Sequence, residues 1–98
     1  MRLTVDEAAA IRKAASEIFG TGAVVRLFGS RVDDSLRGGD IDLHIEVSDL
    51  ESALSKRGQF IGSLNDVVGE RDYDVIVAGR GMPPSAIDRR ATEQGIIL

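Results

Sequence analysis

The stretch Asp40-Ile41-Asp42-Leu43-His44-Ile45-Glu46-Val47 alternates between polar and apolar side chains without a break. A period of two is that of a β-strand. Ile41, Leu43, Ile45 and Val47 then share one face, and Asp40, Asp42, His44 and Glu46 share the other. The apolar face has to be covered, and the flanking segments carry the pattern of helices that could cover it. The expected fold is therefore a sheet with helices packed against it.

Working outward, Val24 to Phe28 is a β-branched-rich run that ends at Gly29, which predicts a second strand. Between the two strands, Ser30-Arg31-Val32-Asp33 can open one or two helical turns with Ser30 as N-cap, and Arg37-Gly38-Gly39 breaks the chain. Upstream, Thr4-Val5-Asp6-Glu7 has the form of a capping box. Ala8, Ile11, Ala15, Ile18 and Phe19 follow at helical spacing until Gly20 and Gly22. Downstream, Ser48-Asp49-Leu50-Glu51 repeats the capping form. It heads a stripe of Leu50, Ala53, Leu54, Phe60, Ile61, Leu64, Val67 and Val68 that ends at Gly69 and is weakened by Gly58 and Gly62. Asp72 to Ala78 predicts a third strand. Pro83-Pro84-Ser85 introduces a last helix through Ala86, Ile87, Ala91 and Thr92, closed by Gly95. The tail Ile96-Ile97-Leu98 either closes the core or meets a partner. The expected order is α-β-(short α)-β-α-β-α, an α/β (α+β) fold with a small mixed sheet flanked by helices.

Length and composition bound the rest. At roughly 150 residues per domain, the 98 residues predict a single domain spanning 1–98. With no cysteine there is no disulfide, thiolate zinc site or cysteine nucleophile. No apolar run approaches the ~20 residues of a membrane helix. The start of the chain lacks the apolar stretch and cleavage site of a signal peptide, so a cytoplasmic protein is expected. Twelve basic against sixteen acidic side chains give a net charge of −4, which argues against a nucleic-acid binder that works by phosphate neutralisation. Six of the sixteen carboxylates fall between Asp33 and Asp49, offset there only by Arg37. Such a cluster is either a solvated acidic loop or a place for divalent cations.

The window from Val25 to Leu43 joins these features. A strand ends in Gly29-Ser30, and after the nine residues Arg31 to Gly39 a second strand opens with Asp40-Ile41-Asp42. Strand residues two apart lie on one face about 6.5–7 Å apart. Two such carboxylates can converge on cations about 3.5–4 Å apart, the spacing of two-metal phosphoryl chemistry. Like charges side by side are costly, and a bound cation removes that cost. Gly29 allows close approach of the backbone, and the amides and hydroxyl at Ser30 could hold a phosphate. Acids facing a phosphate-binding turn make a nucleoside triphosphate the natural ligand. The competing readings are a solvated strand face for the acids and a plain helix cap for Ser30.

The pattern Phe28-Gly29-Ser30-Arg31 … Gly38-Gly39-Asp40-Ile41-Asp42-Leu43 resembles the signature of the polymerase-β-type nucleotidyltransferases, and most closely their stand-alone minimal domains. The resemblance extends to Asp74 in Tyr73-Asp74-Val75-Ile76, and more softly to residues 87–98. It implies that Asp40, Asp42 and Asp74 are the catalytic and metal-binding carboxylates for two Mg²⁺ ions. Asp74 would serve as, or orient, the base. Gly29 and Ser30 would hold the β/γ-phosphates, with Arg31 a candidate nucleotide contact. The implied reaction is attack of an acceptor hydroxyl on the α-phosphorus of ATP, with transfer of AMP and release of pyrophosphate. Relatives of this size are commonly antitoxins paired with a helical HEPN-domain toxin, some of which they inactivate by AMP transfer to a tyrosine. The implied partner is such a toxin, which would supply or position the acceptor. The alternative is a non-catalytic module that neutralises a partner by contact.

Other residues carry weaker signals. Asp72 shares the alternation of Asp74 and reads as a solvated residue at the strand start. Arg37 reads as a solvated loop residue, and His44 as a hydrogen-bonded strand histidine rather than a ligand. Gly79-Arg80-Gly81 between a strand and a helix suggests a dinucleotide turn, but Pro84 stands where the third glycine belongs and too little chain follows for another βαβ unit.

Overall fold

Thr4 caps the first helix by accepting from the Glu7 amide while the Glu7 carboxylate accepts from the Thr4 amide, the reciprocal pair that the sequence predicts. In the computed structural model, which describes residues 3–28 and 41–98, this helix is α1 (Val5–Phe19). It is followed by β1 (Val24–Phe28), β2 (Ile41–Val47), α2 (Leu50–Val67), β3 (Tyr73–Gly79), α3 (Ala86–Gln94) and β4 (Ile96–Ile97). The short helix expected over Ser30–Asp33 lies outside the described residues. Gly20 ends α1 at φ 106°, a conformation that costs other residues more.

The four strands form one mixed sheet in the order β3-β2-β1-β4. β2 and β3 are parallel and joined through α2, whereas β1 is antiparallel to both β2 and β4. The parallel pair requires a crossover, and α2 provides it on the apolar face. Leu43 and Ile45 of β2, Leu27 of β1 and Val75 of β3 pack there against Ile11 and Ala15 of α1 and Phe60 and Leu64 of α2. The rings of Phe19 and Phe60 meet at 5.1 Å and 55° where the two helices cross. No helix among the described residues is long and apolar enough to cross a membrane.

Three local expectations need correction. The cap of α2 is Asp49, which accepts from the Ser52 amide at 3.1 Å, rather than Ser48. A carboxylate there meets the free amides and the positive end of the helix dipole together. The buried stripe of α2 is also narrower than the periodicity predicts, since Leu54 and Val67 are more than half exposed. Finally, Ile96 and Ile97 form a strand, pairing with Leu27 and Arg26. Leu98 then donates its amide to Val25 and packs against the core.

The β3 edge of the sheet is tied to its surroundings. The Arg57 guanidinium reaches from α2 to the Val75 carbonyl at 2.7 Å, occupying an acceptor on the edge strand β3. At the start of the same strand, the Tyr73 hydroxyl donates to the Gly69 carbonyl at 2.6 Å. Burial pushes the Tyr73 phenol above its ordinary value.

Candidate functional site

The register of the sheet arranges the polar face in rows. Across the first row, Phe28, Asp42 and Asp74 are paired on β1, β2 and β3; across the next stand Arg26, His44 and Ile76; across the last, Val24, Glu46 and Ala78. Asp42 and Asp74 are 32 residues apart in sequence, yet occupy neighbouring positions on parallel strands, whose axes run about 4.8 Å apart. Asp42 is half-buried and Asp74 exposed. Asp72 precedes β3, is exposed, and uses its backbone carbonyl to accept from the Ile41 amide at 2.8 Å.

The structure thus brings together two of the three expected carboxylates. Asp40, Gly29, Ser30 and Arg31 lie outside the described residues. Among the described residues no group of three acids or histidines forms a metal cluster. The donor set of Asp42 and Asp74, carboxylate oxygens on a half-open sheet face, suits a hard cation such as Mg²⁺ rather than a softer metal.

The acidic cluster has a second account for some of its members. Glu46 accepts from the Arg80 Nε at 2.9 Å and from Arg26 at 3.2 Å. The Arg80 hydrogen bond outweighs partial burial, and with Arg26 it holds the Glu46 carboxyl below its ordinary value. Asp49 is spent on capping α2. Of the cluster's described members, only Asp42 therefore stands in line with another strand acid.

α3 closes the polar face near β1 and β2. Ser85 and Asp88 form its capping box, and Asp88 also accepts from the His44 Nε2 at 2.9 Å. An ionised carboxylate only accepts, so this contact places the proton on Nε2. Burial pushes the Asp88 carboxyl up, but the Ser85 amide and His44 together pull it below its ordinary value. His44 is 1% exposed, its ring meets Phe28 edge-on, and its Nδ1 has no hydrogen-bond partner. The expectation of a hydrogen-bonded strand histidine agrees with this geometry.

A cavity of about 250 Å³ opens farther along the same face, between the last rows of β2 and β3, the turn through Gly79-Arg80-Gly81-Met82, and α3. The sequence reading missed this feature. Its one usable signal was Ser85-x-x-Asp88, a capping form that fixes where α3 begins and hence which of its residues face the strands. On the opposite, α2 side of β3, a Cβ at Gly79 would lie 2.7 Å from the sulfur of the exposed Met82 side chain and 3.2 Å from the Leu50 Cβ. The chain matches no protein-family model and no curated protein.

Proposed function

We propose that this chain is a magnesium-dependent nucleotidyltransferase of the polymerase-β type, acting through Asp40, Asp42 and Asp74. The observation that carries the reading is the register pairing of Asp42 with Asp74. Two acids distant in sequence stand in register on neighbouring parallel strands, on one sheet face. Gly29-Ser30 follows directly after Phe28, the β1 partner of Asp42 in the same row. The resemblance reads this pair as the phosphate-holding residues.

In this reading, Mg²⁺ ions neutralise the triphosphate charge when bound. Asp40 and Asp42 would hold them, and Asp74 would complete the set from β3. The acceptor oxygen forms a bond to the α-phosphorus of ATP. The α–β phosphoanhydride bond breaks, pyrophosphate leaves, and the hydroxyl proton passes to or past Asp74. Positioning and charge neutralisation supply most of the rate. The acceptor is a hydroxyl on a partner protein, a helical HEPN-type toxin in the case the resemblance implies, and the setting is the cytoplasm.

Incubation of the protein and its co-purified partner with labelled ATP and Mg²⁺ tests this directly. Label transfer to the partner that Asp42→Asn abolishes is the expected result. Full neutralisation of the partner by the Asp42→Asn protein would show that contact alone suffices and overturn the catalytic role.

A further inference from the structure

Residues 85–98 are lightly packed on the rest of the fold. α3 buries one residue, Ala91, and leaves Ile87 39% exposed. β4 pairs with β1 at two positions, Arg26 and Leu27, and Ile97 is 65% exposed. The ties of this segment include the His44–Asp88 hydrogen bond, the Leu98 amide on the Val25 carbonyl and Arg12 on the Leu98 carbonyl. A cavity of about 250 Å³ remains between α3 and the strands it crosses. Such a segment opens at far less cost than the whole fold.

The connection in front of the segment is built as a hinge. On its near side the turn is fixed. The Arg80 amide donates to the Val47 carbonyl at 2.6 Å, its guanidinium donates to Glu46 and to the Gly22 carbonyl, and the Met82 amide donates to the Gly79 carbonyl. On its far side the Ser85–Asp88 capping box sets the first turn of α3. Between them stand Pro83 and Pro84, both exposed and without an amide to donate. A proline also biases the residue before it toward extended backbone, so Met82 and Pro83 resist a tight reversal. Two fixed units are thus joined by a short extended piece, a connection that can lead to the chain's own sheet or to another.

We infer that residues 85–98 exchange between two copies of this chain about Pro83-Pro84. The edge of β1 accepts an antiparallel strand preceded by a helix whose Asp88 reaches His44, and a second copy carries the same residues in the same register. The contacts of the segment are then remade across the pair, with His44 bonded to the partner's Asp88. The exchange keeps those interactions and costs mainly the entropy of bringing two chains together, which concentration offsets. Because His44 lies one row from Asp42 and Asp74, each copy completes the cover of the other's polar sheet face. The exchange uses none of the chemistry of the acids and stands apart from the nucleotidyltransferase reading.

The chain has no cysteine, so introduced thiols report on the exchange alone. Arg26 and Ile97 are register partners across β1 and β4. Arg26→Cys protein and Ile97→Cys protein are refolded together at high concentration and oxidised. The Arg26→Cys/Ile97→Cys double variant, oxidised at low concentration, shows that the pair can bond within one chain. A disulfide joining position 26 of one chain to position 97 of the other, found by peptide mass mapping, is the expected result. Size-exclusion chromatography with light scattering on the unsubstituted chain should show a dimer that grows with concentration and separates slowly on dilution. Pro83→Gly/Pro84→Gly, which frees the hinge to turn back, should lower the dimer fraction at least about threefold. These two readouts decide the matter if the cysteine variants fail to fold. A chain that stays monomeric at every concentration, a dimer without the 26–97 link, or a dimer fraction indifferent to the hinge variant overturns the exchange.

Discussion

The His44 Nε2 and the Asp88 Oδ1 lie 2.9 Å apart, and this single hydrogen bond joins the middle of β2 to the first turn of α3. One partner is almost fully buried and the other also caps its helix, so the pair holds α3 against the polar face of the sheet. Asp88→Ala removes the cap contact and leaves His44 with both ring nitrogens unpaired. We expect a loss of about 2–4 kcal/mol, from roughly 1 kcal/mol for the cap and 1–3 for the orphaned ring. Adding His44→Leu removes the buried polar group and should recover part of that loss. Urea unfolding of the two variants checks the order; equal stability of both would show that the ring needs no partner.

Acid should weaken the fold through three carboxylates. Glu7 is held below its ordinary value first by the Thr4 backbone amide and then, against some burial, by Arg71; Glu46 and Asp88 are lowered by the partners described above. A lowered folded pKa means the unfolded chain takes up the proton first. The stabilisation is therefore complete above the usual carboxylate range and fades as pH falls through it toward the lowered folded values. Unfolding midpoints measured from about pH 7 down to about pH 3 should fall across that range. Glu46→Gln should flatten the fall, and a slope unchanged by this variant would contradict the assignment.

Glycine-to-alanine substitutions should split in sign. A Cβ at Gly58 or Gly62 in α2 would meet nothing within 4 Å, so alanine should stabilise by about 0.5–1 kcal/mol at each. At Gly95 an added Cβ would run into the Ala91 carbonyl oxygen and come within 3.2 Å of the Leu27 carbonyl. Alanine there should destabilise by about 1–3 kcal/mol. Thermal melts of the three variants decide it. A stable Gly95→Ala would mean that α3 and β4 can separate from β1 without loss.

The two acids at the start of β3 should behave differently. Asp74 is in register with Asp42, whereas Asp72 precedes the strand. Under the proposed nucleotidyltransferase activity, Asp74→Asn should lower AMP transfer at least about 10²-fold, the scale of removing one preorganised charge-stabilising group. Asp72→Asn should stay within about twofold, as surface changes usually do. Equal losses would mean that the acids act as a general negative field and not as a site.

Long periodic segments were legible because local chemistry dictates them. The alternation from Ile41 to Val47 and the Thr4 cap required no knowledge of distant residues. Asp74 was marked only through the resemblance, since nothing in the spacing of the two acids announces the pairing of their strands. The strand at Ile96–Ile97 was not legible, because two residues carry no period and the pairing depends on β1, about 70 residues away. The cavity was hidden for a related reason: it is bounded by β2, β3 and α3, and only the crossing of α3 over the strands creates it.

That crossing has a kinetic consequence. α3 leaves the β3 end of the sheet, passes beneath its polar face and delivers β4 to the outer edge of β1, where Arg12 of α1 also fastens the Leu98 carbonyl at 3.1 Å. Residues 85–98 thus act as a latch that is set only after both edges of the sheet exist to receive it. Strand pairing between residues so distant in sequence forms more slowly than local structure. Until the latch shuts, β1 has a bare edge and the face bearing Asp42 and Asp74 is unroofed near β1. Closure of the cavity beside α3 and protection of the sheet from pairing with another chain would then be one folding event.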